Sequence, residues 1–158
     1  MQNRLIIDRR TWLAGLVGLA GQASLTGSAH ALTARVRSRV IIDNDFSGDP
    51  DGLFQLAHHL LSPSVQIPLV IGSHIHPRDF LDGSDRQADN AVQCVSDMMD
   101  CMRLPHRPPV LAGRNAAPAP GTPPSATPAV TAIIAEAQRT DSKVPLFYVC
   151  LLYTPLMA

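Results

Sequence analysis

Asp43, Asp45, Asp49 and Asp51 fall within nine residues, directly after the apolar run Val40-Ile41-Ile42. Four like charges this close repel one another, and left alone some would hold protons. A hard cation such as Ca²⁺ or Mg²⁺ removes the conflict, because it prefers carboxylate oxygens. A solvated acidic turn is the bland alternative. The carboxylates follow a buried-type strand rather than lying on a polar helix face, and that placement points to metal binding or catalysis. Behind them, Leu53-Phe54-Gln55-Leu56-Ala57-His58-His59-Leu60-Leu61 reads as a helix with Leu53, Leu56, Leu60 and Leu61 on one face. The order is strand, acidic loop, helix. In open α/β sheets ligands gather at the carboxyl ends of strands, where such loops sit.

Three known patterns compete for this stretch. Asp43-x-Asp45-x-Ser47-Gly48 fits the opening of an EF-hand loop, but that loop needs a Glu where Phe54 stands, and a strand precedes it where a helix should be. The Asp-x-Asp signature of haloacid-dehalogenase-like phosphatases would make Asp43 the nucleophile and Asp45 the acid/base, and leaves Asp49 and Asp51 unexplained. The third pattern accounts for all four aspartates. The stretch resembles the N-terminal motif of the inosine/uridine-preferring nucleoside hydrolases: strand, Asp-x-Asp, a short Gly-containing turn, a further Asp pair, then an apolar helix. Here Pro50 separates Asp49 from Asp51; a more divergent branch of nucleoside-hydrolase-like proteins carries such an Asp-Pro-Asp arrangement.

The resemblance covers residues 39–150, the N-terminal half of that family. It implies an α/β fold with a doubly wound, mostly parallel sheet, incomplete in this chain. It implies hydrolysis of the N-glycosidic bond of a ribonucleoside or similar N-riboside, with Ca²⁺ as cofactor. On that reading Asp45 is the general base and a metal ligand, Asp51 a bidentate metal ligand, Asp43 a ligand or orienting group, and Asp49 a partner of a ribose hydroxyl. The family's late Asp and His have no counterpart here, so a Ca²⁺- or sugar-binding relic is the alternative to an enzyme. The family also implies a homo-oligomer at full length.

The rest of the chain supplies elements to carry this loop. Val65 to Gly72 reads as a second strand, in which Pro68 calls for an edge position or a bulge. His74 and His76 follow it; without a third nitrogen or sulfur ligand, zinc is a poor reading. In the resembled family the loop after this strand contacts ribose through an Asn in a Gly-Asn pair, which this chain lacks, so His74 or His76 is the implied substitute. From Asp85 to about Met102, Ala88, Ala91, Val92, Val95, Met98, Met99 and Met102 recur at helical spacing. Asn90 in this helix resembles the family's Asn-Ala-Leu segment near the site. Pro109 to Gly113 is a short strand and turn, and residues 117–128 form a Pro/Ala/Thr loop. Thr127 to Gln138 reads as a helix capped by Thr127 with Pro128 in its first turn, and with Ala129, Ile133, Ile134 and Ala137 on one face. Val144 to Cys150 is a fourth strand.

Both ends of the chain are distinctive. Arg9-Arg10-Thr11-Trp12-Leu13 resembles a twin-arginine export signal, with an Ala/Gly-rich apolar stretch and the small-x-small sequence Ala29-His30-Ala31 behind it. The stretch is shorter than the roughly 20 apolar residues a membrane span needs. Residues 1–31 are therefore expected to be a signal peptide, delivering residues 32–150 to the periplasm or the cell exterior without a membrane span. Those 31 residues hold three of the 13 basic and one of the 13 acidic residues, leaving 10 and 12, net −2. Such a balance excludes a broad basic surface for nucleic acid, and the expected partner is a small nucleoside-like molecule. Cys94, Cys101 and Cys150 lack metal spacing and read as core fillers. Residues 151–158 have no cap, no Gly and no amphipathic pattern, and read as a truncated or aberrant tail.

Overall fold

The computed structural model describes residues 35–48, 50–123 and 125–150. The expected signal peptide, the tail and Asp49 lie outside the described residues. The chain runs β1 (Ser38–Asn44), α1 (Asp51–Leu60), β2 (Val65–Gly72), α2 (Gln87–Met102), β3 (Val110–Ala112), α3 (Pro128–Ala137) and β4 (Leu146–Cys150). The four strands form one sheet in the order β3-β2-β1-β4, and all three pairings are parallel. Parallel neighbours require a crossover, and each helix supplies one. The expected α/β class and each expected element are present.

Alternation along β1 divides the core. Val40 and Ile42 join Leu56 of α1 and Ala91, Val95 and Met99 of α2. Ile41 points to the other face, where it meets Leu69, Ile71 and Ala129 of α3. Both faces of β1 are therefore covered, which is why it reads as an uninterrupted apolar run rather than an alternating one. The path steps outward from β1 to β2 to β3, then returns to the far side of β1 as β4. The strand order thus reverses beside β1.

Pro68 sits in an interior strand, and a bulge accommodates it. The register runs Arg39 to Gln66 and then Ile41 to Leu69, so β2 carries one extra residue over Ile67-Pro68. Helix starts are secured in different ways. Thr127 Oγ1 accepts from the Val130 N–H at 3.2 Å, as the sequence predicts. Helix α2 has no local side-chain cap; Asn115, after β3, accepts from the N–H groups of Ala88 and Asp89 at 2.9 and 3.1 Å.

Three details differ from the sequence reading. Leu61 caps α1 and is exposed, and Ile134 and Ala137 lie on the open side of α3. Cys94 packs against the core, whereas Cys101 and Cys150 are exposed. In each case the described chain provides no second layer to bury the residue. Among the described residues no helix is long and apolar enough to cross a membrane.

Candidate functional site at the carboxyl end of the sheet

Period-two geometry builds the centre of the site. Asp43 shares the face of Ile41, and its neighbours in the sheet are Ile71 on β2 and Cys150 on β4. Two residues beyond Ile71 on the same face is Ser73, whose hydroxyl donates to Asp43 Oδ1. Two residues before Cys150 is Tyr148, whose hydroxyl donates to Asp43 Oδ2. One carboxylate is thus held from both flanking strands. Asp43 is only 9% exposed, and no Lys, Arg or His forms an ion pair with it among the described residues. Burial, the hydrogen bond to Asp43 and its negative charge all push the Tyr148 phenol above its ordinary value, so it stays a neutral donor.

Asn44 faces the other way. Its Oδ1 accepts from the Asp45 N–H at 2.9 Å, while Nδ2 is buried without a partner against Gly52. A side chain at Gly52 would collide with that amide, so the first turn of α1 can close on the end of β1 only over a glycine. This contact sets where the acidic loop re-enters the fold. Asp45 is half-buried in the loop, and Asp51 is exposed in the first turn of α1, where the helix dipole favours a negative charge.

On the β2 side, the loop 73–86 is fixed by Gln87, which is 2% exposed. Its Oε1 accepts from the Ile75 N–H at 2.8 Å, and its Nε2 donates to the carbonyls of His76 and Asp82 at 3.1 and 2.6 Å. Asp82 gathers hydrogen bonds in turn. Partial burial pushes its pKa up, but donors from Ser84, Asn90 and Ser47 outweigh that and bring it down to about 2. His74 Nδ1 lies 3.1 Å from the Arg114 carbonyl, and His74, Gln87 and Asn115 line a cleft of about 250 Å³.

The structure therefore places the residues named from sequence in two groups. Asp43, Asp45 and Asp51 border the β1–α1 junction, and His74 lines the neighbouring cleft directly after Ser73. His76 is exposed, its carbonyl held by Gln87. Asn90 turns its amide to Asp82 and Ser84, both at 3.0 Å, and so braces the loop. Ser73, Tyr148, Gln87 and Asn115 were not singled out by sequence reasoning; only strand register and loop closure bring them in.

Whether the carboxylates suit a divalent cation turns on donor chemistry and charge. The β1–α1 junction offers hard oxygen donors of the kind Ca²⁺ takes, and Asp43 is a buried carboxylate that forms no ion pair among the described residues. Among the described residues, no group of three or more His, Cys, Asp or Glu is gathered closely enough to hold a metal ion. A complete cage would thus need Asp49 or a rearranged loop. No protein-family model, no curated protein and no solved structure matches this chain.

Proposed function

We propose that this chain forms the N-terminal half of a doubly wound, nucleoside-hydrolase-like domain, and that it acts on the N-glycosidic bond of a ribonucleoside or similar N-riboside. The observation that carries the reading is Asp43: a buried carboxylate with no ion pair among the described residues, at the carboxyl end of the strand beside which the strand order reverses. Ligands of open α/β sheets sit at such a reversal.

With the loop rearranged to gather them, Asp43, Asp45 and Asp51 would hold Ca²⁺, which when bound would supply the charge that acidifies water. Asp45 takes the proton of the attacking water. Asp49 accepts from a ribose hydroxyl. The carboxylates stabilise positive charge developing on the sugar as the bond to the base breaks. His74, on the wall of the adjacent cleft, contacts the sugar in place of the family's Asn, and Asn90 reaches the site through the loop it braces. A small-molecule substrate, export to the periplasm or beyond, and homo-oligomerisation complete the proposal.

Ribose release from inosine or uridine tests it. Activity should require Ca²⁺ and disappear in Asp45→Ala; release that persists in chelator, or in that variant, refutes the assignment. A second reading, sugar binding without turnover, is favoured by the lack, among the described residues, of a group of three or more His, Cys, Asp or Glu that could hold a metal ion. It predicts calorimetric uptake of ribose or of a nucleoside with no cleavage of either nucleoside.

A further inference from the structure

We propose that the outer edge of β4 is a docking surface for a second copy of this chain, paired antiparallel, strand to strand, about a two-fold axis at Tyr148. The inference goes beyond the hydrolase reading and does not rest on it.

The two edges of the sheet differ. At one end β3 is three residues long and follows Pro108-Pro109; short strands and prolines keep an edge from pairing. At the other end β4 runs Leu146-Phe147-Tyr148-Val149-Cys150, with no charge and no proline. Its register against β1 is unbroken, so no bulge twists it away. Among the described residues its one strand neighbour is β1. Phe147 and Tyr148 point to opposite faces and are 53% and 48% exposed. Such an edge is a template for another strand.

Backbone geometry selects the partner and its direction. Arg39 lies opposite Leu146, and its N–H donates to the Pro145 carbonyl at 2.9 Å. Backbone groups alternate sides along a strand, so those of Phe147 and Val149 face β1 and those of Leu146 and Tyr148 point outward. Tyr148 is the middle residue of β4. Two copies of one edge can meet only antiparallel, and with Tyr148 opposite its own counterpart the two exchange both hydrogen bonds. Parallel addition would instead seat β4 on the β3 edge of the next copy, which is short and follows prolines, and that contact would not close. In the antiparallel pair Phe147 lies opposite Val149 of the second copy, so no charge opposes a like charge within the strands. Aromatic side chains bury about 150–250 Å² each, so the open halves of Phe147 and Tyr148 offer roughly 200 Å² per copy. These side chains alone fall short of the roughly 1,200 Å² of a stable interface, and the dimer should therefore dissociate on dilution.

The experiment is sedimentation velocity of the full chain from micromolar to millimolar concentration, with amide hydrogen exchange followed by NMR over the same range. The parent should dimerise reversibly. Phe147→Lys, which puts a charge on the edge, should weaken dimerisation by about ten-fold or more. Phe54→Lys and Phe80→Lys, at positions 76% and 91% exposed but away from β4, should leave it unchanged. A general hydrophobic association would rank the three the other way. The Tyr148 amide should gain protection as the dimer forms, while the Phe147 and Val149 amides stay protected throughout. A parent that is monomeric across the range overturns the proposal. So does a dimer that survives Phe147→Lys, is lost equally in Phe54→Lys, or leaves the Tyr148 amide unprotected. A Tyr148 amide already protected in the monomer would mean that the chain's own residues cover the edge, and overturns it too. Should Phe147→Lys fail to fold, the parent's exchange pattern alone decides.

Discussion

Gly72→Ala is the most direct test of how the fold holds the site in place. Gly72 ends β2 and precedes Ser73. A Cβ there would lie 2.9 Å from the Ala88 carbonyl oxygen, 2.9 Å from Ala91 Cβ and 2.9 Å from the Val92 nitrogen. Ordinary contact begins near 3.4 Å, so the end of β2 and helix α2 must separate by about half an ångström. Two of the three atoms belong to the α2 backbone and cannot turn aside as a side-chain tip would. Burying one more methyl returns at most about 0.8 kcal/mol. Overpacking a well-filled contact costs about 1–3 kcal/mol, so after that return a net loss of about 1 kcal/mol is expected. For a domain of this size each kcal/mol lowers the melting temperature by about 4 °C, hence a fall of about 4 °C. Urea denaturation followed by circular dichroism should show a lower midpoint with an unchanged slope. A midpoint within error of the parent's would refute the claim that close strand–helix approach, rather than chance, selects glycine here.

Two further outcomes are expected. Arg39, 4% exposed, pairs with Glu136 and donates to the Val144 carbonyl at 3.1 Å; Glu136→Ala strands that guanidinium in the core and should cost about 3 kcal/mol by urea denaturation, with Ca²⁺ affinity unchanged because β1 enters the sheet there and the carboxylates lie at its other end. Asp82 is held at about 2 against an ordinary 3.8. Its native form binds a proton less readily than its unfolded form, so its contribution is full above about pH 4 and is lost as the pH falls through 2. Because Asp82 is largely solvated, that contribution is at most about 1 kcal/mol. The gap in stability between the parent and Asp82→Asn should narrow on acidification from pH 5 to pH 2; a constant gap would contradict it.

The fold was legible wherever one residue pattern had one local solution. Val40-Ile41-Ile42 could only be a strand covered on both sides, and each of its faces has its own helices. Thr127-Pro128 announced a helix start, and Thr127 caps it. Pro68 called for an edge or a bulge, and the register chose the bulge. The errors share a cause. Leu61, Ile134 and Cys101 were assigned to a core because their type and spacing allow it, but spacing reports which side of a helix a residue occupies, not whether anything covers that side.

The site was legible only in part for a related reason. Carboxylates crowded into one loop are visible as letters, because their mutual repulsion is a local fact. What restrains them is not local. Asp43 and Ser73 are 30 residues apart, and Asp43 and Tyr148 are 105 apart. Parallel pairing of β1 with both β2 and β4 brings them together. Asn115 caps α2 across 27 residues in the same way. Charge needed for chemistry can be read along a chain, whereas the neutral donors that hydrogen-bond it are fixed by register. A search for positioning groups in such a sheet should therefore begin with hydroxyl and amide residues at the carboxyl ends of the strands that flank the acidic one, whatever their distance in sequence.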